Sequence, residues 1–168
     1  MRLFFALWPP RNTAQALGGW AGEVCEPSGG KLIAVENIHL TLAFLGEADP
    51  AKAIAAARRV KGRRHRLPID AARYVRKNEM LWVGPAAMPD ELAALAADLR
   101  ATLILAGFAL EERPFAAHVT LVRKARMPKS IASLPRVAWP VDEFVLVRSH
   151  ASPKGSTYEP LERFPLQA

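Results

Sequence analysis

Cysteine is almost missing from this chain of 168 residues, where Cys25 stands alone. No disulfide can close within the chain and no Cys-rich metal site can be built, so a reducing, cytoplasmic setting is expected. Long apolar runs are missing too. The Leu3–Trp8 stretch follows a single Arg2 and has six residues, against the ~20 a membrane-spanning helix needs. It carries no cleavage-site pattern and runs into Pro9-Pro10, so it reads as a strand and not as a signal peptide, and no membrane partner is expected. Neither G-x-G-x-x-G nor G-x-x-x-x-G-K-[ST] occurs. A nucleotide site built on a glycine-rich helix N-terminus is therefore without support. Acidic residues are the minority, 16 against 23 lysines and arginines, which leaves a net charge of +7. Such a surface suits a polyanion, nucleic acid first.

The basic residues gather in stretches. Arg58-Arg59, Lys61, Arg63-Arg64 and Arg66 form one, Arg73 and Arg76-Lys77 extend it, and Arg123-Lys124, Arg126 and Lys129 form another. The hydrophobic fraction of 51% is enough for a packed interior, so residues 1–168 are expected to form a single domain of two lobes. Arg2–Trp8 predicts a strand, and Pro9-Pro10 opens a helix to about Val24. A turn is expected over Pro27–Gly30 and a strand over Ile38–Leu45, ended by Gly46. Asp49-Pro50 predicts a helix start, with the helix running to about Lys61. Strands follow over Leu67–Arg76 and Met80–Val83. Leu92, Leu95, Leu99 and Leu103 have helical spacing after Pro89-Asp90-Glu91, with Gly107 placed to cap the end. Further strands are expected over Ala117–Arg123, Val137–Val147 and Tyr158–Phe164. The order suggests a duplicated unit, an α+β fold in which two antiparallel sheets face a central cleft with helices outside.

Only four histidines are present, and two of them begin the same word: His39-Leu40-Thr41-Leu42 and His118-Val119-Thr120-Leu121. A random chain of this composition would hold about 0.01 copies of one H-x-T-L word. Both words sit in strand-like runs, where side chains at i and i+2 share a face. Each therefore presents an imidazole beside a hydroxyl. Cleavage of a phosphodiester by water needs a base for the water proton, an acid for the leaving oxygen, and donors to the nonbridging oxygens. An imidazole titrates near neutrality and can serve in either of the first two roles. In-line displacement requires the His39 and His118 rings to face each other across one phosphorus, roughly 5–8 Å apart. Thr41 and Thr120 would supply the hydroxyl donors.

A zinc site is the competing chemistry, but a catalytic zinc takes three protein ligands. Neither word carries H-x-x-x-H, and no Asp or Glu lies two residues from either histidine. No metal and no cofactor is expected. Cys25 has no nucleophile motif around it, His65 lies in a basic stretch and reads as a surface residue, and His150 reads as an ordinary strand residue.

His39-Leu40-Thr41-Leu42-Ala43-Phe44-Leu45-Gly46 and His118-Val119-Thr120-Leu121-Val122-Arg123 resemble the paired motifs of the two-histidine phosphoesterase superfamily. The opening Arg2-Leu3-Phe4-Phe5-Ala6 and the late Ser149 and Gly155-Ser156-Thr157-Tyr158 extend the resemblance to nearly the whole chain. Within that superfamily it is similar to the RNA 2′,3′-cyclic phosphodiesterase family, also called the 2′-5′ RNA ligase family. The resemblance implies a bilobal α+β fold and metal-independent hydrolysis of an RNA terminal 2′,3′-cyclic phosphate, such as that of a tRNA fragment, to a 2′-phosphomonoester. It implies His39 as proton donor to the leaving 3′ oxygen and His118 as proton acceptor from water. Thr41 and Thr120 then bind phosphate, Phe44 and Arg123 contact the terminal nucleoside, and Tyr158 binds substrate. A cytoplasmic monomer is expected. Two positions depart from the family's habit: Ala117 stands where Pro is common, and Arg148 where an acidic residue is frequent. On an ideal strand Phe44 and Arg123, each five residues after its histidine, fall on the opposite face. They reach the cleft only if the strand twists, bulges or ends. The alternatives are a hydrolase of a small cyclic phosphate, such as an ADP-ribose cyclic phosphate, and a non-catalytic RNA-end binding module.

Overall fold

The computed structural model describes residues 1–25 and 29–168. Its first strand, β1 (Arg2–Leu7), is apolar on both faces. Leu3, Phe5 and Leu7 enter the main core, while Phe4 and Ala6 join Val145 and Val147 in a smaller cluster on the other side. A strand covered on both faces belongs inside a sheet. β1 accordingly pairs with β3 (Leu40–Glu47) and with β9 (Glu143–Ser152). β10 (Gly155–Pro165) completes an antiparallel sheet in the order β10-β9-β1-β3. The second sheet has the order β2-β7-β6-β5, from β2 (Lys31–Leu32), β7 (Val119–Arg123), β6 (Met80–Gly84) and β5 (Ala71–Val75). Its pairs are antiparallel as well. A short ribbon, β4 (His65–Arg66) with β8 (Pro140–Val141), stands apart.

One core joins the two sheets: Leu3, Phe5, Leu7, Leu40 and Leu42 meet Leu81, Val83, Val119 and Leu121 in it. Helix α1 (Arg11–Cys25) adds Ala14, Leu17, Trp20, Ala21 and Val24, one face at helical spacing. In α2 (Pro50–Ala57) the Asp49 carboxylate accepts from the Ala51 N–H at 3.0 Å, and Pro50 fills the first helical position. Helix α3 (Asp90–Leu105) buries the four spaced leucines Leu92, Leu95, Leu99 and Leu103 completely. Phe108 N–H donates to Leu103 O and Gly107 N–H to Ile104 O, so the helix ends in a Schellman motif with Gly107 at φ 95°.

The expected architecture is present, with corrected boundaries. Gly46 does not end its strand: β3 runs through it to Glu47, with Gly46 at φ 67° opposite Leu3. The second helix stops at Ala57 and not near Lys61, because Arg59 and Val60 tighten into i→i−3 bonds and the Lys61 N–H turns to the Asp98 carboxylate. Of the strand expected over Leu67–Arg76 only β5 forms, over Ala71–Val75; Pro68, which has no N–H to give a ladder, lies between it and β4, which ends at Arg66. Val137–Val147 divides into β8 and β9, and the last two strands extend into a tight hairpin about Pro153-Lys154. The turn expected over Pro27–Gly30 lies in part outside the described residues. The two-residue β2 has no signal in the sequence.

Candidate active site

Each histidine sits one residue before its strand, His39 ahead of β3 and His118 ahead of β7. Each is anchored the same way. His39 Nδ1 lies 2.6 Å from Asn37 O, and His118 Nδ1 lies 3.0 Å from Ala116 O. A carbonyl oxygen can only accept, so Nδ1 carries the hydrogen and Nε2 is left as the reactive nitrogen on both rings. The Thr41 hydroxyl stands 3.1 Å from His39 Nε2, so the first imidazole and hydroxyl meet directly.

Each ring also lies flat on a tryptophan. Trp8 stacks on His39 with centroids 4.7 Å apart and planes 13° from parallel. Trp82 stacks on His118 at 4.0 Å and 20°. Neither tryptophan stood out in the sequence, where both read as strand residues. Around His39 the wall continues with Phe4 at 5.2 Å and the edge of Tyr158 at 5.2 Å. This apolar surrounding costs the imidazolium its hydration. Burial pushes the His39 pKa down from the ordinary 6.5 to about 4, and charge on Arg123 and on His118 pushes the same way, against the raising effect of the Asn37 carbonyl. Arg123 therefore acts electrostatically on the first histidine across the cleft, and β3 and β7 touch.

Phe44 and Arg123 reach the cleft by the same device. In the β1–β3 ladder Phe5 faces Ala43 and Ala6 faces Thr41, which leaves Leu42 unpaired. In the β6–β7 ladder Leu81 faces Val122 and Trp82 faces Thr120, which leaves Leu121 unpaired. The extra residue is a β-bulge three positions after each histidine, and it reverses the alternation. Leu42 and Ala43 both turn to the core, as do Leu121 and Val122. The next residue then emerges beside the threonine: Phe44 is 63% exposed, with its ring 5.8 Å from Phe4, and Arg123 is exposed. Gly84, beside His118, keeps the second site close-packed. A Cβ there would lie 2.7 Å from Ala117 O, so no larger residue fits without moving the segment that carries His118.

The other two histidines lie outside this arrangement. His150 pairs with Glu159 at 3.0 Å across the β9–β10 hairpin, and His65 bonds Arg63 O from the ribbon. Contrary to the surface position expected for it, His65 is half-buried and its Nε2 has no partner among the described residues. Among the described residues no three His, Cys, Asp or Glu side chains converge to hold a metal ion. No helix is long and apolar enough to cross a membrane among the described residues.

Two facing sheets, each giving a histidine, a threonine and a stacked tryptophan to one cleft, define a phosphoesterase of the two-histidine kind. The family described as LigT like Phosphoesterase matches the chain twice, over residues 7–82 and 83–158, so each copy of H-x-T-L falls in its own half. The chain belongs to this family. It is 34% identical to an RNA 2′,3′-cyclic phosphodiesterase of Escherichia coli over 98% of this chain and 96% of that protein. A protein of the same description from Thermus thermophilus is 34% identical over 99% of this chain and 91% of its own length. The crystal structure of E. coli LigT complexed with 3′-AMP superposes with a TM-score of 0.91 at 32% identity, covering 99% of this chain and 98% of the other.

Proposed function

We propose that this protein hydrolyses the 2′,3′-cyclic phosphate at the end of an RNA to a 2′-phosphomonoester, with His39 and His118 as the acid and base. The matched anchoring of the two imidazoles carries the reading. A site that only bound an RNA end would have no use for two imidazoles each held at Nδ1 by a backbone carbonyl, which leaves Nε2 for proton transfer. The names of the relatives favour an RNA end over another small cyclic phosphate, and the 3′-AMP in E. coli LigT is a nucleoside with a phosphate on its ribose.

In the reaction, His118 Nε2 takes a proton as water oxygen bonds to phosphorus. The bond from phosphorus to the 3′ oxygen breaks, and His39 gives that oxygen a proton. Thr41 and Thr120 donate to the nonbridging oxygens, whose charge grows toward the transition state. Phe44 and Arg123 hold the terminal nucleoside, since a ring and a guanidinium both stack on a base. With its pKa lowered to about 4, mainly by burial, His39 holds a proton at neutral pH only where an anionic substrate favours the imidazolium. We take the working unit to be one two-lobed domain acting as a cytoplasmic monomer.

Two expectations follow from the site. Turnover should persist in excess EDTA, because two imidazoles and two hydroxyls do the work a metal would otherwise do. Loss on chelation with recovery on added Zn²⁺ or Mn²⁺ would refute the mechanism. Trp8→Ala should uncover one face of His39. Burial being the largest cause of the lowered pKa, an NMR titration should show it move up toward 6.5. Turnover should drop roughly 3- to 30-fold as the ring loses the flat surface that holds it in line with the reacting oxygen. An unmoved pKa in that variant would mean that the indole does not shield the ring.

A further inference from the structure

Two basic stretches that are some fifty positions apart in the chain come together beside the second histidine. On β5, Ala72 and Tyr74 pack against the core, so Arg73 lies on the opposite face. Its partner across the ladder is Trp82, whose partner in turn is Thr120. Arg73, Trp82 and Thr120 thus form one row across the cleft face of the sheet. With strands ~4.8 Å apart, the Arg73 backbone lies about 10 Å from that of Thr120. Arg76 and Lys77 follow in the turn between β5 and β6, both exposed.

The segment after β7 is docked onto that turn. Ala125 N–H donates to Glu79 O at 2.9 Å, the Tyr74 hydroxyl donates to Ala125 O at 2.7 Å, and Arg76 Nη2 approaches Met127 Sδ at 3.7 Å. Ala125 is buried, and the exposed Lys124 and Arg126 flank it. Lys124 and Glu79 both sit at φ 53°, a conformation uncommon outside glycine, on either side of the Ala125–Glu79 bond. Arg73, Arg76, Lys77, Lys124 and Arg126 gather here with the single carboxylate Glu79, and among the described residues none of the five forms an ion pair.

The other side of the cleft differs. The cavity of about 210 Å³ next to Trp8 and Tyr158 includes the carboxylate Glu36, and its arginine, Arg163, is paired with Glu143 at 2.6 Å. The Arg58–Arg66 stretch leads away, to Asp98 of α3 and to Gln167. A strip of five basic residues around one carboxylate, with none of the five in an ion pair among the described residues, begins beside Thr120 and suits the phosphates of the same nucleic acid chain.

We propose that Arg73, Arg76, Lys77, Lys124 and Arg126 form a track for the phosphates on the 5′ side of the terminal nucleotide. The enzyme thereby prefers an RNA end to a cyclic mononucleotide. This deepens the reading above and rests on it for the identity of the terminal group. The test compares wild type with Arg73→Gln/Lys77→Gln/Arg126→Gln and with a charge-matched control, Arg58→Gln/Arg59→Gln/Arg63→Gln. The substrates are 2′,3′-cyclic AMP and an oligoribonucleotide with a 2′,3′-cyclic end, and binding of a 3′-phosphorylated oligoribonucleotide is followed by fluorescence anisotropy. The track variant should lose roughly tenfold or more in kcat/KM on the oligoribonucleotide, and a similar factor in binding, while cyclic AMP hydrolysis changes by less than about threefold. Its binding should also depend less on salt, the log–log slope shrinking by about 2 for three lost contacts. Equal losses in the control, or oligoribonucleotide binding unchanged in the track variant, would overturn the track. Failure of wild type to open either cyclic phosphate would overturn the proposed reaction instead, and the anisotropy comparison would still decide the track.

Discussion

Replacing either His39 or His118 with alanine should cut turnover by about 10²–10⁴-fold, the worth of one positioned acid or base. That factor corresponds to about 3–5 kcal/mol of transition-state stabilisation. The loss should fall mainly on kcat, since both proton transfers occur on the way to the transition state. The scaffold should tolerate both changes. β3 is held by Leu40 and Leu42 and β7 by Val119 and Leu121, all of them buried, and each histidine stands just outside its strand. Arg123→Ala should behave differently, raising KM as well, because its guanidinium holds the terminal nucleoside in the ground state too. Steady-state kinetics on an RNA with a 2′,3′-cyclic end separates the two patterns. Turnover at the wild-type level in either histidine variant would end the two-histidine mechanism.

The chemistry was more legible than the geometry that delivers it. Two H-x-T-L words place imidazole and hydroxyl together because strand alternation is a local property, and alternation holds from His39 to Thr41 and from His118 to Thr120. Beyond the threonines it fails at the same step in both halves. Nothing in the side chains of Leu42 and Leu121 marks them as bulged, since bulging is a property of the ladder, set by what β1 and β6 present opposite. For that reason simple parity put Phe44 and Arg123 on the wrong face. The tryptophans were illegible for a related reason. Opposite the first word stand Ala6, facing Thr41, and then Trp8, beyond the last pair and stacked on His39. Opposite the second, Trp82 faces Thr120 and Gly84 comes against His118. Large and small residues have exchanged places, yet each histidine gains an indole face. A self-alignment of the chain cannot show an equivalence that is made in space from non-equivalent positions. The two basic stretches beside β7 follow the same logic, because their meeting depends on the β5–β6–β7 pairing and not on any feature of either stretch.

The direction of proton flow should be readable in the His118→Ala variant. Wild type alone does not reveal it. Its pH profile should be a bell whose limbs belong to the coupled pair, and a singly protonated pair gives the same bell whichever ring holds the proton. With His118 gone, His39 is the one titrating member of the pair left. If His39 is the donor, residual kcat/KM requires its protonated form. Burial, the largest cause, lowers the pKa of that form to about 4 in the free protein. Residual kcat/KM should then decline tenfold per pH unit above this value, about 10³-fold between pH 5 and pH 8. The loss of His118, whose charge helps lower the pKa, shifts the limb slightly upward without changing its slope. If His39 is the acceptor, its neutral form is active, and kcat/KM should rise through about pH 4 and stay flat above. In kcat the donor limb should lie higher than in kcat/KM, since kcat reports the complex and the bound phosphate favours the imidazolium. The structure places His39 in the drier position, stacked on Trp8 and edged by Phe4 and Tyr158. A donor so placed is charged only when the anion is present to balance it, which ties proton loading to substrate binding. A falling profile in His118→Ala would establish that coupling. A flat one would exchange the roles of the two histidines and leave the reaction itself unchanged.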